Sequence, residues 1–230
     1  MGLADELVGQ VAEIFRNQWT VRDGETVPES EDLGLGNEAV KLDATVLYTD
    51  LSESTSLVDK YKPHFAAEVY KAFLHCAARL VRNEGGVITA YDGDRLMGVF
   101  IGDSKNTSAA RAALRINWAR EKVINPAIQK QYPGTAYSLR HVTGVDTSNL
   151  FVARTGIRGS NDLVWVGRAA NHAAKLTTLT PDYPSRITED VYNNMLPSAK
   201  LSSDGRNMWE QATWNDMSRT VYRSTWMWSP

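Results

Sequence analysis

Hydrophobic and polar residues follow one another in distinct patterns along the chain, and these patterns predict where helices and strands lie. Between residues 3 and 18 apolar residues recur at near-helical spacing, with Asp5 and Glu6 in the first turn, so we predict a helix there. The stretch that follows, VRDGETVPESEDLGLGNE, is polar and rich in turn residues, and we interpret it as a connector. We therefore divide the chain into an N-terminal helix and connector, 1–40, and a main domain, 41–230.

Short apolar runs and long amphipathic stretches alternate after residue 40. The run TVLYTDL, 45–51, predicts a strand that ends close to an aspartate, and the sequence after it predicts a long helix that stops at Gly85 and Gly86. The segment GVITAYDGDRLMGVFIG predicts two strands joined at Asp-Gly, which is a strong hairpin signal. A second helix is predicted from about Asn106 to Ile128.

The C-terminal half of the chain predicts further strands. We expect YSLRHVTGVD and NLFVARTGI to form a second hairpin, LVWVG to form a strand that runs into the short helix AANHAAKLTTL, and TVYRSTWMW to form a final strand. The order β-α-β-β-α-β followed by a hairpin predicts an α+β fold with a ferredoxin-like core. In such a core an antiparallel-rich sheet carries helices on one face.

Composition and charge narrow the classes of function. The apolar share of 43% and the charged share of 23% are ordinary for a soluble globular protein, and the formal charge of -2 disfavours a nucleic-acid binder. No run of about 18 apolar residues and no signal peptide stands in the sequence, so we expect a cytoplasmic protein that does not bind membranes. The single cysteine, Cys76, excludes an internal disulfide and lies in a helical pattern, which favours a structural thiol.

Two aspartates are candidates for metal binding. Asp50 lies at the end of the first strand of the main domain, and Asp94 lies at the tip of the 86–101 hairpin. These elements are neighbours in the predicted sheet, so the two carboxylates can face one another. Paired carboxylates with no histidine or thiol nearby suit Mg²⁺ or Mn²⁺. The alternative is that Asp50 caps the next helix and Asp94 is a turn residue.

Three stretches of the chain resemble, in order and spacing, the signature motifs of the class III nucleotidyl cyclases. They are LYTDLSEST, GGVITAYDGDRLMGVF and VGRAANHAAKL. The resemblance covers roughly residues 41–197. It implies a homodimer in which each of two active sites is shared between the chains. It also implies attack of the ribose 3′-oxygen on the α-phosphate of a nucleoside triphosphate, with pyrophosphate as the leaving group.

The resemblance also implies roles for individual residues. Asp50 and Asp94 match the aspartates that bind two Mg²⁺ or Mn²⁺ ions, and the carbonyl of Leu51 would complete the shell of one ion. Asn171 matches the asparagine that orients the ribose. Lys175 matches an arginine that stabilises charge on the α-phosphate, and its spacing from Asn171 puts both on one helix face. The alternative for these last two residues is a solvated helix end.

The positions that would recognise the base depart from the family. Ala90 stands where the family has a purine-reading lysine or glutamate, and Val164 stands at the partner position, so neither pairs with a purine edge. Tyr48 and Tyr91 are large and could narrow the base pocket to fit a single ring; the alternative for Tyr48 is core packing. Arg95 is a candidate donor to uracil.

These departures, together with lysine at position 175, resemble the pyrimidine cyclases of the Pycsar antiphage system. The resemblance implies conversion of a pyrimidine nucleotide, UTP being favoured, to cyclic UMP, a second messenger that activates a separately encoded effector. A cytidylate cyclase, an adenylate cyclase and a catalytically silent nucleotide-sensing module remain as alternatives.

Two further sets of residues have simpler interpretations. His75 and His172 lie on predicted helices and are expected to pack or face solvent rather than to bind a metal. Four of the seven tryptophans crowd the C-terminal part and are expected to cover a sheet face or a dimer seam: Trp209, Trp214, Trp226 and Trp228.

Overall fold

Residues 2–230, which the computed structural model describes, form nine strands and eight α-helices. The helices are α1 (Leu3–Arg16), α2 (Ser54–Lys60), α3 (Pro63–Asn83), α4 (Lys105–Ala119), α5 (Asn125–Gln131), α6 (Arg168–Leu176), α7 (Glu189–Asn194) and α8 (Pro197–Lys200). The strands are β1 (Thr20–Asp23), β2 (Glu38–Leu51), β3 (Val87–Asp92), β4 (Arg95–Phe100), β5 (His141–Ile157), β6 (Ser160–Val166), β7 (Ser185–Thr188), β8 (Glu210–Trp214) and β9 (Arg219–Ser224).

The strands form one sheet in the order β3-β4-β2-β5-β7-β9-β8. Strand β1 adds to the sheet by parallel pairing with the start of β2, and β6 pairs antiparallel with the end of β5. The four strands β3-β4-β2-β5 and the helices that connect them have the ferredoxin-like order that the sequence predicts, so the fold class is confirmed.

Strand β2 separates two apolar cores because successive side chains of a strand point to opposite faces. Leu47 and Leu51 belong to the core under α3 and α4, whereas Ala44 and Val46 belong to the core under α6. Helices therefore cover both faces of the sheet, and the prediction of helices on one face is wrong. Asp50 shares the α6 face, since it follows Val46 by an even number of residues.

The second predicted hairpin is also wrong. Residues His141–Ile157 form one continuous strand of 17 residues, β5, which pairs with β2 along most of its length. The polar run 146–149 suggested a turn, but it lies inside the sheet opposite residues 43–46 of β2. The hairpin turns later, between Ile157 and Ser160, and leads into β6.

The first long predicted helix is divided in the structure, whereas the second is one helical run over 105–131 that contains a π-helical turn. Pro63 begins α3 and separates it from α2, because proline is favoured in the first turn of a helix. A π-helical turn at Arg120–Ile124 joins α4 to α5. Strand β1 lies within the predicted connector and pairs with residues 38–41, while the division at residue 40 stays a prediction.

Helix α1 is attached to the sheet at one point. The Nδ2 group of Asn37, just before β2, donates to the carbonyls of Ile14 at 2.8 Å and Asn17 at 2.7 Å. Its side chains contribute nothing to either core, since none of its residues is buried. In the part of the chain that the structure describes, we find no helix with the length and apolar character of a membrane span.

The tryptophans and Cys76 have packing roles. Trp209 is buried and its Nε1 donates to the carbonyl of Ala199 at 2.8 Å, and Trp226 and Trp228 pack against the core under α3 and α4. Cys76 is half-buried against the same core, and burial raises the pKa of its thiol. This environment favours a structural rather than a nucleophilic cysteine.

Candidate active site

Asp50 and Asp94 meet at one corner of the sheet. Asp50 pairs in register with Arg95, the first residue of β4, and Asp94 lies in the turn directly before that residue. Gly93 adopts φ +61° in this turn, a left-handed conformation that glycine adopts without steric cost. Burial raises the pKa of Asp50, and the negative charge of Asp94 raises it further, as expected for neighbouring carboxylates. The structure thus brings together the two aspartates that the sequence singled out.

Arg95 lies directly against Asp50. Its Nε and Nη2 atoms donate to Oδ2 of Asp50 at 3.1 and 2.7 Å. Burial is the main influence on Asp50 and raises its pKa, whereas the hydrogen bonds and charge of Arg95 lower it. The corner therefore holds two half-buried carboxylates and one guanidinium, which hydrogen-bonds Asp50, and this balance favours additional positive charge.

Asp94 has an oxygen that no protein group binds. Its Oδ2 atom is buried and has no hydrogen-bond partner, which is costly for a carboxylate unless another group satisfies it. A hard divalent cation is such a group, and carboxylate oxygens are its preferred ligands. Among residues 2–230 no group of three or more His, Cys, Asp and Glu side chains converges on a metal position. Backbone and substrate oxygens would therefore supply the remaining ligands.

Tyr70 on α3 also lies near this corner, although no sequence motif singles it out. Burial raises the pKa of its hydroxyl, the charges of Asp94 and Asp50 raise it further, and Ser54 lowers it. Tyr70 is partly buried against the core under α3 and α4. Only the position of α3 above the sheet reveals its proximity to the carboxylates.

Tyr48 and Ala90 lie in one row next to the aspartates. Both pair in register with Met97 of β4, so the three residues form a line across β2, β4 and β3. Tyr48 packs against the core under α6, and burial raises the pKa of its hydroxyl while Arg95 lowers it. The structure therefore places Tyr48, Ala90 and Arg95 together beside the two aspartates.

Tyr91 does not lie in this pocket. It is 58% exposed and lines the groove between α3 and β3, on the opposite face of the strand from Ala90. A bulge between Ile88 and Ala90 shifts the register of β3 by one residue and sets which side chains face the pocket. The prediction that Tyr91 narrows the base pocket is wrong.

Asn171 and Lys175 project into solvent from α6. They are four residues apart and therefore lie on one face of the helix, as the sequence predicts. The opposite face lies so close to β5 that a Cβ atom on Gly144 would be 2.3 Å from the carbonyl oxygen of Ala173. Glycine at position 144 thus lets α6 sit directly on the sheet.

A buried aspartate that no sequence motif singles out fixes the rotation of α6. Asp146 of β5 is fully buried and accepts a hydrogen bond from Oγ1 of Thr188 at 2.6 Å. Its Oδ2 lies 3.2 Å from both Nε of Arg168 and Nδ1 of His172, which are four residues apart on α6. His172 is therefore a packing residue, as expected, and burial lowers its pKa. Because the side of α6 that carries Arg168 and His172 faces Asp146, Asn171 on the other side faces solvent.

Val164 lies far from Asp50 within one chain. Val164 pairs with Ala153 of β5, whereas Asp50 pairs with Val142 of the same strand. Eleven residues of strand at about 3.3 Å each separate the two positions by about 36 Å. A single chain therefore cannot bring Val164 to the corner that holds the aspartates and Tyr48.

Comparisons with known proteins find relatives that match along the whole chain. A protein named uridylate cyclase from Xanthomonas perforans is 53% identical over 99% of this chain and 99% of its own. A second uridylate cyclase, from Burkholderia cepacia, is 53% identical over 100% of both chains. Among solved structures, a bacterial light-regulated adenylyl cyclase superposes with a TM-score of 0.69 at 18% identity, over 81% of this chain and 53% of its own. No protein-family model matches the chain.

Proposed function

The chain belongs to the uridylate cyclases, a group with the class III nucleotidyl cyclase fold, and from this membership we propose that it converts UTP to 3′,5′-cyclic UMP and pyrophosphate. The general activity of a nucleotidyl cyclase follows from the full-length relatives. The choice of base, the metal requirement and the shared site are parts of the proposal. The observation that carries it is the corner at which Asp50 faces Asp94 with its unsatisfied, buried Oδ2 atom.

The metal-binding residues in this proposal are Asp50, Asp94 and the backbone carbonyl of Leu51. They would hold two Mn²⁺ or Mg²⁺ ions, which when bound neutralise charge on the triphosphate and polarise its α-phosphate. The buried, unpartnered oxygen of Asp94 and the raised pKa of Asp50 both support a role for added positive charge. Arg95 already supplies part of that charge to Asp50.

Cyclisation depends on positioning two parts of one nucleotide. The ribose 3′-oxygen forms a bond to the α-phosphorus while the bond to pyrophosphate breaks in line with it. In our proposal Asn171 orients the ribose, and Lys175 places its ammonium next to the oxygens of the α-phosphate, where negative charge increases in the transition state. Lysine supplies a point charge without the planar fork of arginine, so it imposes less geometric restriction on the phosphate.

The base pocket favours a pyrimidine in this proposal. Tyr48 forms a bulky wall, and Ala90 and Val164 offer no group that pairs with a purine edge. Arg95 uses Nε and Nη2 for Asp50, which leaves the Nη1 hydrogens to donate to a base oxygen. Uracil has an acceptor oxygen at position 4, where cytosine has an amino donor, so a donor at this place favours UTP.

A homodimer is part of the proposal because one chain keeps Val164 away from the aspartates. The separation of about 36 Å between the register positions of Asp50 and Val164 supports a head-to-tail pair. In it, Val164, Asn171 and Lys175 of one chain approach the aspartates of the other, which gives two equivalent sites. We further propose that cyclic UMP acts as a second messenger in antiphage defence, through a separately encoded effector.

The identity of the product tests the proposal. The purified protein would be incubated with each of the four nucleoside triphosphates and Mn²⁺, and cyclic product and pyrophosphate would be quantified. We expect cyclic UMP and pyrophosphate in equal amounts, with the UTP reaction the fastest. Cyclic AMP or cyclic CMP as the main product would overturn the choice of base. Nucleotide binding without pyrophosphate release would indicate a catalytically silent module.

A further inference from the structure

Helix α1 presents a broad apolar face that its own chain leaves uncovered. The large apolar side chains of the helix are 50–85% exposed, and they are Leu3, Leu7, Val8, Val11, Ile14 and Phe15. The helix is nevertheless held in place, because Asn37 donates to two carbonyls at its C-terminal end. A face of this width is typical of a helix that packs on a globular surface, and it is wider than the seam of a two-stranded coiled coil.

A groove lined by both apolar and basic side chains lies between α3 and the edge strand β3. Its volume is about 680 Å³. Apolar side chains line it, namely Leu74, Ala78, Val87, Ile88 and Tyr91. Cationic side chains also line it, namely Lys71, Arg79 and Arg82. Val87 and Tyr91 are 40% and 58% exposed, so the groove has apolar surface available for a partner.

The charges of the helix and of the groove are opposite. Helix α1 carries Asp5, Glu6 and Glu13 against one basic residue, Arg16. The groove carries three cationic side chains and no acidic one. Opposite charge on two surfaces favours their association and fixes their relative orientation. The acidic, apolar helix therefore matches the basic, apolar groove.

The groove of the same chain is out of reach. Helix α1 is tied beside Glu38, whereas the groove strand β3 aligns through β4 with Tyr48, ten residues further along β2. Ten residues of strand span about 33 Å, while the 14 residues of α1 span about 21 Å. The helix therefore cannot lie in the groove of its own chain.

We propose that α1 of one subunit docks in the α3–β3 groove of a second copy of the chain. This inference rests on the proposed shared-site dimer, in which Val164 approaches Ala90 on β3 of the other subunit. Val164 aligns through Ala153 with Ala39, which lies two residues after Asn37. Helix α1 thus leaves the sheet at the end that meets the other subunit's β3. Its length of about 21 Å allows it to continue over this edge strand into the groove.

Disulfide cross-linking between two different variants tests this docking. In a Cys76→Ser background, one variant carries Val11→Cys on α1 and the other carries Val87→Cys in the groove. Neither position belongs to the proposed catalytic machinery. After mixing and mild oxidation with a copper–phenanthroline complex, we expect a disulfide-linked species of twice the 25.6 kDa chain mass. Because the two cysteines are on different chains, a bond within one chain cannot produce it.

The controls separate this inference from the proposed function. Val123→Cys, 42% exposed in the π-helical turn, should give no cross-link with Val11→Cys. A cross-link of Val11→Cys with itself would show that α1 pairs with its twin and would overturn docking in the groove. No cross-link in a protein that sediments as a dimer and forms cyclic UMP would overturn the docking alone. A monomer without cyclic product would overturn the proposed function.

A charge exchange provides an independent measurement. Arg79→Glu combined with Arg82→Glu should weaken dimerisation about tenfold in sedimentation equilibrium, since each surface ion pair contributes modestly. Adding Glu6→Lys and Glu13→Lys to the same chain should restore it. Restoration is expected only if α1 and the groove contact each other, because charge changes at unrelated sites act independently. A groove variant that dimerises like the wild type would contradict the proposal.

Discussion

Arg95 and Asp50 face each other across the β2–β4 pair, and both donors of Arg95 that reach Asp50 bind the same oxygen, Oδ2. Oδ1 of Asp50 is therefore not engaged by the guanidinium. The same arginine lies near Tyr48, whose pKa it lowers. Arg95 thus connects the carboxylate corner with the base pocket, and its removal should affect both.

Replacing Arg95 with alanine should move the acid limb of the pH–rate profile to higher pH. Burial raises the pKa of Asp50 and Arg95 lowers it, so without the guanidinium the carboxyl group protonates at a higher pH. Since a protonated Asp50 holds a cation poorly, turnover should fall more at pH 6 than at pH 8. Arg95→Lys, which keeps the charge, should shift the limb less. Parallel profiles for Arg95→Ala and wild type would contradict this account.

Asp94→Asn should reduce cyclisation at least about a hundredfold, because a neutral amide holds a divalent cation poorly. Thermal unfolding gives a second measurement. Mn²⁺ should raise the melting temperature of the wild type but not that of the variant, since binding to the folded state alone stabilises it. Asp103→Asn, at an exposed carboxylate in the turn between β4 and α4, is the matched control and should keep activity within about twofold. Equal stabilisation of both variants by Mn²⁺ would contradict the role of Asp94.

Lys175→Ala should lower kcat about a hundredfold and leave KM nearly unchanged. Its ammonium is proposed to interact with charge that increases in the transition state, so ground-state binding depends on it less. Lys175→Arg keeps the charge and should retain most of the turnover. Steady-state kinetics with UTP measure kcat and KM for both variants. A large rise in KM at constant kcat would instead indicate a role in binding alone.

Tyr48→Ala should relax base selection. Removal of the ring opens the row of Tyr48, Met97 and Ala90, so the ratio of kcat/KM for ATP to that for UTP should rise about tenfold. Tyr48→Phe keeps the ring and should retain the preference for UTP. Because Tyr48 also packs against the core, melting temperatures of both variants must accompany the kinetics. An unchanged ratio in a folded Tyr48→Ala protein would assign Tyr48 to packing only.

His141 should make the stability of the protein depend on pH. The imidazole is fully buried with neither ring nitrogen hydrogen-bonded, and burial, followed by the charge of Arg120, lowers its pKa to about 3. Below its unfolded value of about 6.5, only the unfolded chain takes up the proton. The free energy of unfolding should therefore fall between pH 6.5 and about 3, by up to about 1.4 kcal/mol per pH unit.

Urea unfolding at several pH values checks this expectation. His141→Leu should keep its stability at neutral pH, since no hydrogen bond is lost, and should be less sensitive to acid between pH 6 and pH 4. His75→Ala, at an exposed position of α3, serves as the control and should retain the pH dependence of the wild type. If the free energy of unfolding changed equally with pH in His141→Leu and in the wild type, His141 would be excluded as the source of the pH dependence.

The sequence predicts the parts of this molecule that local chemistry determines. The Asp-Gly turn places Asp94 next to the end of β2, and the alternation in β2 puts Asp50 on a defined face. The sequence does not predict β5 as one continuous strand. The polar side chains in the middle of β5 find their hydrogen-bond partners only on elements distant in sequence. Asp146 depends on α6 and Thr188, and Thr147 accepts a hydrogen bond from Thr45 at 3.0 Å. A polar run with tertiary partners is indistinguishable in sequence from a turn.

The orientation of side chains at the pocket also depends on non-local structure. The bulge before Ala90 sends Tyr91 to the α3 groove, and a shift of one residue in a strand exchanges its two faces. The sequence indicates Arg95 as a candidate donor to the base. Its contact with Asp50 follows from the register of β2 and β4, which the sequence alone does not give. Helix α1 shows a third case, since its apolar stripe predicts a contact whose other half its own chain does not provide.

The division of each site between two chains has a genetic consequence in the proposed dimer. A chain carrying Asp94→Asn and a chain carrying Lys175→Ala are each inactive as pure pairs. In a dimer made of one chain of each kind, however, one active site contains both substitutions and the other contains neither. Two such alleles would therefore complement each other in one cell, whereas two alleles that damage the same half of the site would not.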